Sequence, residues 1–224
     1  MRAYPAFLEL RDRAVLVVGA GPVALRKLTP LLAAGAKPVV VAPEAAPAIE
    51  AMARAGDIRW HRRRFRPDDV AGHWLVINAC GVPGVGAAVQ QAGERARVFV
   101  NSVDDPERCS FTVPAVVDRH PVTVAISSAG TAPVLARRLR ERIEAMLPAN
   151  TGSLARTAGR WRARVADALP DMPVRRRFWE RWFDGAGAHD GSDASVREAL
   201  DAAGRADGAA GIAWLVGAGP GDPA

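Results

Sequence analysis

The stretch AVLVVGAGPVALRK, residues 14–27, joins a short apolar run to a glycine-rich turn and a helical pattern. The run AVLVV is typical of a buried strand. Gly19, Gly21 and Ala24 then fit the pattern G-x-G-x-x-A, in which the glycines allow a tight turn and a close approach of backbone to a pyrophosphate, and the small alanine lets the helix pack on the strand. Pro22 suits the first helical turn. The stretch predicts a strand–turn–helix unit that binds a nucleotide.

The residues that follow repeat this alternation of apolar runs and helical patterns. Strands are predicted at KPVVVA, DIRWH, HWLVINAC and RVFVN, and helices at APAIEAMARAG and GVGAAVQQAGERA. Gly35 and Gly56 suit the C-terminal caps of the first two helices, and Pro30 is expected to kink or weaken the first one. Strands and helices alternating at this spacing predict an α/β domain over residues 1–112, with a Rossmann-like, doubly wound parallel sheet.

The pattern changes after residue 112. FTVPAVVDRHPVTVAISSAG predicts two strands with no helix between them, and APVLARRLRERIEAML predicts an amphipathic helix, so that 113–147 forms a small α+β segment. TGSLARTAGRWRARVADAL and PVRRRFWERWF predict the helices of a helical domain at 148–184. Aromatic residues recur at helical spacing in the last of these, which favours packing in a core or an interface over stacking on nucleic-acid bases.

The last forty residues are rich in Gly, Ala, Asp and Ser. Residues 185–208 are predicted to be an acidic flexible linker, with room for a short helix near SVREALDAA. The five letters VGAGP, first seen at Val18–Pro22, recur at Val216–Pro220. Only four residues follow this second copy, so we expect it to build no binding site of its own.

Composition and charge narrow the class of protein. The chain has 224 residues, of which 49% are hydrophobic, and its net charge is +6. We expect no membrane span and no secretory leader. Cys80 and Cys109 form neither a disulfide framework nor a CxxC motif, which favours a reducing cytoplasm. Residues 119–183 carry 13 arginines and five acidic residues, whereas residues 184–224 carry two arginines and seven acidic residues.

The basic character of residues 119–183 and the acidic character of residues 184–224 allow two interpretations. A basic face suits a polyanion, such as nucleic acid, a phosphate or a polycarboxylate. It can equally be a solvated surface, and charge alone favours that plainer interpretation.

The cofactor candidates lie after the first two strands. The free N–H groups at the helix start favour phosphates, and Pro43 and Glu44 come just beyond the second strand. Glu44 is placed either to take ribose hydroxyls or to serve as an ordinary acid at a helix start. No arginine stands at this point to bind a 2′-phosphate, which favours NAD over NADP.

A second candidate group follows the fifth strand, in FVNSVDDPERCSF. Ligands of doubly wound sheets lie at the carboxyl ends of strands, so Asn101, Asp104 and Asp105 fall where a substrate would meet a nicotinamide. A carboxylate here can accept a proton or touch a metal, but Asn, Asp, Ser and Pro also favour turns. Neighbours on an extended chain face opposite ways, so we expect one of the two aspartates to point inward.

Two further sets of residues carry groups that can bind anions or metals. Ser127 and Ser128 precede Gly130 and a helix, where their hydroxyls can cap the helix or face a bound anion beside the arginines at 137, 138 and 140. The four histidines, at 61, 73, 120 and 189, show no metal-ligand spacing, so no metal site is predicted.

Together these segments resemble the N-terminal module of sirohaem synthase, the bifunctional precorrin-2 dehydrogenase and sirohydrochlorin ferrochelatase. The resemblance covers residues 1 to about 184 and is carried by LVVGAGPVALRK, WLVINA, VFVNSVDD, FTVPAVVDRHPVTVAISSAGTAPVLARRLRERIEAMLP and RRRFWERWF. The closing GIAWLVGAGPGDPA resembles the opening strand and glycine loop of the uroporphyrinogen-III methyltransferase module of trifunctional members. Residues 209–224 are therefore expected to be the truncated start of that module.

The resemblance implies a chemistry and assigns residues to it. NAD takes a hydride from precorrin-2 to give sirohydrochlorin, and ferrous iron, a substrate, then displaces the inner pyrrole protons to give sirohaem. By motif match, Asp104 is the base in the first step and the proton acceptor or transient metal contact in the second. Asn101 shapes the same crevice. The positions that match NAD contacts are Gly19, Gly21, Pro22, Val23, Pro43 and Glu44.

The resemblance also implies partners. The tetrapyrrole substrate is ringed by carboxylates, which suits an arginine-rich face. Ser128 falls at a substrate-site serine that the family can carry phosphorylated. The segment 113–147 is implied to be exchanged between the subunits of an intertwined homodimer.

The sequence is also compatible with two alternative functions. One is a dehydrogenase without useful chelatase activity. The other is a regulatory module in which the glycine loop senses NAD and the basic half binds nucleic acid.

Overall fold

Five parallel strands form one sheet in the computed structural model, which describes residues 3–185 and 190–207. The strands are β1 (Ala14–Val18), β2 (Lys37–Val41), β3 (Arg59–His61), β4 (Leu75–Asn78) and β5 (Phe99–Ser102). Their order is β3-β2-β1-β4-β5, and every neighbouring pair is parallel. The chain therefore reverses its direction of winding between β1 and β4, and ligands of such sheets bind above this point.

Helices cover both faces of the sheet. They are α1 (Pro22–Ala33), α2 (Pro47–Ala55) and α3 (Val85–Ala96), with short 3₁₀ turns at Pro67–Val70 and Pro106–Arg108. Val15 and Val17 of β1 pack into the apolar cluster that holds α1 and α2 residues, while Leu16 and Val18 pack into the cluster that holds α3 residues. All four are buried, and a buried side chain of this size stabilises a fold by about 1.5–3 kcal/mol. The predicted doubly wound α/β sheet is confirmed.

The helix ends agree in part with the sequence patterns. Gly56 caps α2 in the left-handed conformation at φ +82°, and Gly35 has φ +74° just after α1. Pro30, however, neither ends nor interrupts α1, which continues to Ala33. It lies in the last turn, is exposed, and its carbonyl accepts from the N–H of Ala34. The expected weakening is therefore confined to a turn where the helix is already ending.

The chain divides into two compact units. Of the described residues, one unit contains 3–115 and 126–138, and the other contains 116–125, 139–185 and 190–207. The elements after the main sheet are the two-stranded sheet of β6 (Ala115–Arg119) and β7 (Val122–Ile126), then α4 (Pro133–Met146), α5 (Thr151–Ala168), α6 (Met172–Asp184) and α7 (Asp193–Asp207). The predicted strand pair and the three predicted helices after it are all present. Among the described residues, no helix has both the length and the apolar character that crossing a membrane requires.

Residues 185–208 were predicted to be a flexible linker with room for a short helix near SVREALDAA, and they contain a helix that is longer than that and packed in a core. Residues 193–207 form helix α7, and its Val196 is fully buried in a cluster with residues of α5 and α6. The cause is visible in the pattern: Val196, Ala199, Leu200 and Ala203 recur at helical spacing and all join this cluster. The methyltransferase-like segment 209–224, with the second VGAGP copy, lies outside the described residues.

The aromatic residues of α6 form the other side of this cluster. Phe178 and Trp182 are buried, and Trp179 meets both of them edge-on at centroid distances of 5.0 and 5.7 Å. Packing in a core, the favoured interpretation of this helix, is confirmed.

The loop after β3 is fixed by a two-pronged ion pair. Arg63 donates to the two carboxylate oxygens of Asp69 at 2.8 and 2.6 Å, and the Arg66 N–H donates to the same group at 2.8 Å. Burial raises the pKa of the Asp69 carboxyl, but these hydrogen bonds more than offset it and leave the pKa below its ordinary value.

Replacing Asp69 with asparagine is expected to lower the free energy of unfolding at neutral pH by about 1–3 kcal/mol. Because the pKa of Asp69 is lowered in the folded state, its contribution is present above the unfolded-state pKa and is lost as the pH falls through the folded-state pKa. The difference between the two proteins in denaturant titrations should therefore shrink in acid. A difference that is independent of pH would contradict this role for the carboxylate.

Candidate functional site

The glycine turn after β1 is held tightly against β4. Gly19 has φ +96°, and a Cβ placed on it would lie 2.8 Å from the carbonyl oxygen of Ala79. The Gly19 N–H donates to the carbonyl of Val41 at 3.0 Å. Gly19 is thus required by the fold itself, because both its conformation and its surroundings exclude a side chain.

Gly21 differs from Gly19 in both respects. Its φ of −85° is open to any residue, and a Cβ placed on it would meet nothing within 4 Å. Nothing in the protein itself therefore requires a glycine at position 21. A ligand that comes close to the backbone would require one, because a side chain would take up the space that it needs. No side chain caps the N-terminus of α1, and no acidic residue lies in its first turn. Pro22 and Val23 open this helix, whose free N–H groups suit a pyrophosphate.

The loop after β2 lies beside the glycine turn. The Ala46 N–H donates to the carbonyl of Ala20 at 2.9 Å, which ties the start of α2 to the turn. Pro43 and Glu44 stand between β2 and this contact and are both exposed. The structure thus brings the predicted dinucleotide residues together at the carboxyl ends of adjacent strands.

The two aspartates after β5 have different environments. Asp104 adopts the left-handed conformation at φ +62° and is exposed. No hydrogen bond or ion pair reaches its carboxylate from the described residues. Asp105 is half-buried, and its carboxylate is ion-paired with Arg108. Asp104 is therefore the carboxylate that is free to meet a ligand.

A cysteine holds the turn that presents Asp104. The Cys109 sulfur accepts from the Ser102 N–H at 3.2 Å, and the thiol lies 3.2 and 3.3 Å from the carbonyls of Ser102 and Asp105, to which it can donate. Burial raises the pKa of the Cys109 thiol. A protonated thiol can both donate and accept, which is what this position uses. Sequence reasoning missed this role, because nothing in the spacing of the cysteines indicates it.

Asn101, which the resemblance implies shapes the substrate crevice, makes a hydrogen bond that the sequence did not predict. It is buried, and its amide donates to the carbonyl of Phe111 at 2.9 Å. This bond folds the chain after the turn back onto β5, so Asn101 shapes the edge of the site from within. Sequence reasoning also missed Asn78, at the end of β4, which donates to the Ser102 hydroxyl at 3.3 Å and accepts from the Cys80 N–H at 3.1 Å.

Ser128 lies between β7 and α4. Its hydroxyl oxygen accepts from the Ala132 N–H at 3.1 Å, and the Ser127 hydroxyl accepts from the Ala129 N–H at 3.1 Å. Both hydroxyls therefore accept from backbone N–H groups in the turn that precedes α4. Within residues 3–185 and 190–207, no three side chains of His, Cys, Asp or Glu are grouped so as to hold a metal ion.

Family models match nearly the whole of this architecture. A model described as putative NAD(P)-binding matches residues 6–115, one for the central part of sirohaem biosynthesis proteins matches 119–146, and one for the sirohaem synthase dimerisation region matches 150–203. The chain belongs to the sirohaem synthase family. Its first domain is accordingly the NAD(P)-binding domain of that family, and its helical part matches the family's dimerisation region.

Individual sirohaem synthases are similar over the same length. Siroheme synthase 3 of Aeromonas hydrophila is 46% identical over 224 residues, which cover 98% of this chain and 48% of the relative. The siroheme synthase of Photorhabdus laumondii is 44% identical over 222 residues, covering 98% and 47%. The chain thus spans about half the length of these relatives.

A solved structure shares the fold. The precorrin-2 dehydrogenase SirC superposes with a TM-score of 0.69 at 22% identity, and the match covers 91% of this chain and all of SirC. At that identity the likeness shows the fold alone.

Proposed function

We propose that this chain oxidises precorrin-2 to sirohydrochlorin with NAD. The observation that carries the proposal is the free carboxylate of Asp104, presented at the carboxyl edge of a sheet whose glycine turn is open to a dinucleotide. Membership of the sirohaem synthase family supports the choice of substrate.

The dinucleotide is held by the loops after β1 and β2. Gly19 forms the turn, Gly21 leaves room for the pyrophosphate, and Pro22 and Val23 begin the helix whose N–H groups face it. Pro43 and Glu44 then lie beside the ribose, with the Glu44 carboxylate accepting from its hydroxyls. Bound NAD supplies the acceptor for one hydride.

Asp104 takes the proton that the oxidation releases. Precorrin-2 loses a hydride and a proton when it becomes sirohydrochlorin, so the residue must be ionised and reachable from the macrocycle. The exposed carboxylate of Asp104 meets the second condition, whereas the Asp105 carboxylate is occupied by Arg108. Asn101 supports the same edge through its bond to Phe111.

The helix entry before α4 would meet the carboxylates of the substrate. Arg137 and Arg138, within the first two turns of α4, are exposed, and arginine forks bind carboxylates in two-pronged geometry. Ser128 stands at the start of this segment, where its hydroxyl would donate to a carboxylate of the substrate. A phosphate on Ser128 would place negative charge beside an anionic substrate and weaken its binding.

Iron insertion is the second proposed activity. Ferrous iron enters sirohydrochlorin as two inner N–H protons leave, and Asp104 can accept a proton or contact the metal in transit. The described residues contain no three-ligand cage. Such an open site suits a metal that must be passed to the product.

The functional molecule is proposed to be a homodimer. Helix α4 leaves a row of large apolar side chains exposed, at Val134, Leu135, Leu139 and Met146. The following helices match a family model described as a dimerisation region. A second copy of the chain would cover this apolar row.

The dehydrogenase proposal is tested by adding precorrin-2 to the chain without oxygen. Sirohydrochlorin should appear in the absorbance spectrum when NAD is present and should not appear when NAD is left out. Equal rates with and without the chain would contradict the proposal. A regulatory module would bind NAD without turnover and bind DNA with strong salt dependence.

The chelatase proposal is tested separately, with sirohydrochlorin and Fe²⁺ or Co²⁺ and no NAD. We expect the chain to accelerate metal insertion, and Asp104→Asn to slow it by about tenfold or more. If the wild-type chain inserts metal no faster than the uncatalysed reaction, the chelatase proposal is wrong and the chain is a dehydrogenase without chelatase activity.

A further inference from the structure

The order of the strands places a run of arginines beside the dinucleotide site. Strand β3 pairs with β2 in the register Val41 with His61, so the chain leaves both strands at the same edge of the sheet. Glu44 follows β2 at that edge, and the run RRR, residues 62–64, follows β3. No arginine directly follows β2, but β3 supplies three from the neighbouring position.

Of the three arginines, one is held in an ion pair and the other two have no acidic partner among the described residues. Arg63 is half-buried and is held by both oxygens of Asp69 at 2.8 and 2.6 Å. Arg62 and Arg64, on either side of it, are exposed. Neither has an acidic partner in the described part of the chain. The anchored residue thus fixes a loop that leaves two guanidinium groups available to a ligand.

One of the two free arginines is held in place by an aromatic ring. The guanidinium carbon of Arg62 lies 5.6 Å from the centroid of Trp60. The Trp60 indole N–H donates to the carbonyl of Ala42, the residue after β2, at 3.0 Å. Trp60, a residue of β3, therefore connects that strand to the loop after β2, and its ring packs against the Arg62 guanidinium.

We propose that Arg62 and Arg64 bind the 2′-phosphate of NADP, so that the chain accepts NADP as well as NAD. This inference rests on the proposed dinucleotide site. A dinucleotide whose pyrophosphate lies on α1 places its adenosine ribose beyond the end of β2. A phosphate on that ribose faces the loop after β3, where the two arginines offer forked, permanently charged donors.

Glu44 sets the balance between the two dinucleotides. Its carboxylate accepts from the free ribose hydroxyls of NAD but repels a 2′-phosphate. Because Glu44 is exposed and has no partner among the described residues, it can turn away when the phosphate is present. Two arginines against one carboxylate leave the position net positive, which favours the phosphate.

Calorimetric titration of the chain with NAD and with NADP tests the inference without any turnover. We expect the two dissociation constants to agree within about tenfold in the wild type, and the NADP-to-NAD ratio to rise by about tenfold or more in Arg62→Ala/Arg64→Ala. Arg95→Ala is the matched control, since Arg95 is an exposed arginine in the last turn of α3, which packs on the other face of the sheet from α1 and α2. It should leave the ratio unchanged.

Smaller probes isolate the phosphate itself. Adenosine 2′,5′-bisphosphate should bind the wild type more tightly than adenosine 5′-monophosphate, and the double variant should remove this preference. The inference is overturned if NAD binds but NADP binds more than about 100-fold more weakly, or if the double variant leaves the ratio unchanged. Failure of NAD itself to bind would instead contradict the proposed dinucleotide site.

Discussion

Replacing Asp104 with asparagine is expected to reduce NADH formation from precorrin-2 by about 100-fold or more. The amide cannot take the proton that leaves the macrocycle, and the carboxylate of the neighbouring Asp105 is paired with Arg108. NAD affinity should stay within about twofold of the wild type, since the dinucleotide residues lie on the loops after β1 and β2. Anaerobic initial rates and a separate NAD titration measure the two quantities.

Asparagine is a better replacement for Asp104 than alanine because the backbone at this position is left-handed. Asp104 has φ +62°, and asparagine tolerates the left-handed conformation better than alanine does. Asp104→Ala would add backbone strain to the loss of the base, whereas Asp104→Asn removes the base alone. Asp105→Asn is the matched control and should retain most of the wild-type rate. If Asp105→Asn were the slower of the two variants, the assignment of the base to Asp104 would be wrong.

The second large effect is expected from Gly21→Ala, which should weaken NAD binding by about tenfold to 100-fold. The protein has room for the added methyl group, because nothing lies within 4 Å of that position. The backbone is also compatible with alanine, since φ is −85°. The melting temperature should therefore be unchanged, while the methyl group occupies space that the pyrophosphate needs. Titration with NAD and thermal unfolding separate the two effects.

Gly19→Ala provides the contrast two residues away. Its Cβ would lie 2.8 Å from the Ala79 carbonyl oxygen, and φ is +96°. This variant should lower the melting temperature, because the clash is with backbone that cannot turn aside. Normal NAD affinity in a stable Gly21→Ala protein would contradict the placement of the pyrophosphate.

Local patterns were sufficient to predict the sheet and the position of the site. Runs such as AVLVV are buried on both faces, so they read as apolar without interruption. The glycine turn and the aspartates each follow such a run, and the carboxyl ends of parallel strands lie at one edge. The sequence was less informative for α7. Its many acidic and small residues are typical of a flexible linker, and only the helical spacing of Val196 with its apolar neighbours indicates a helix that packs in a core.

Long-range contacts account for the features that the sequence did not predict. The bond from Asn101 to Phe111 and the thiol contacts of Cys109 join residues that lie close only after the turn has formed. Arg62 and Arg64 stand about twenty residues beyond Glu44, and only the pairing of β3 with β2 brings them to the same edge. The run RRR is evident in the sequence, but its position beside the dinucleotide site follows only from the order of the strands in the sheet.

The most direct test of the central claim is the stoichiometry of the wild-type reaction, measured without oxygen at saturating NAD. The account predicts one NADH for each precorrin-2 converted to sirohydrochlorin, at a rate proportional to the concentration of the chain. Sirohydrochlorin formed without an equal amount of NADH would contradict it.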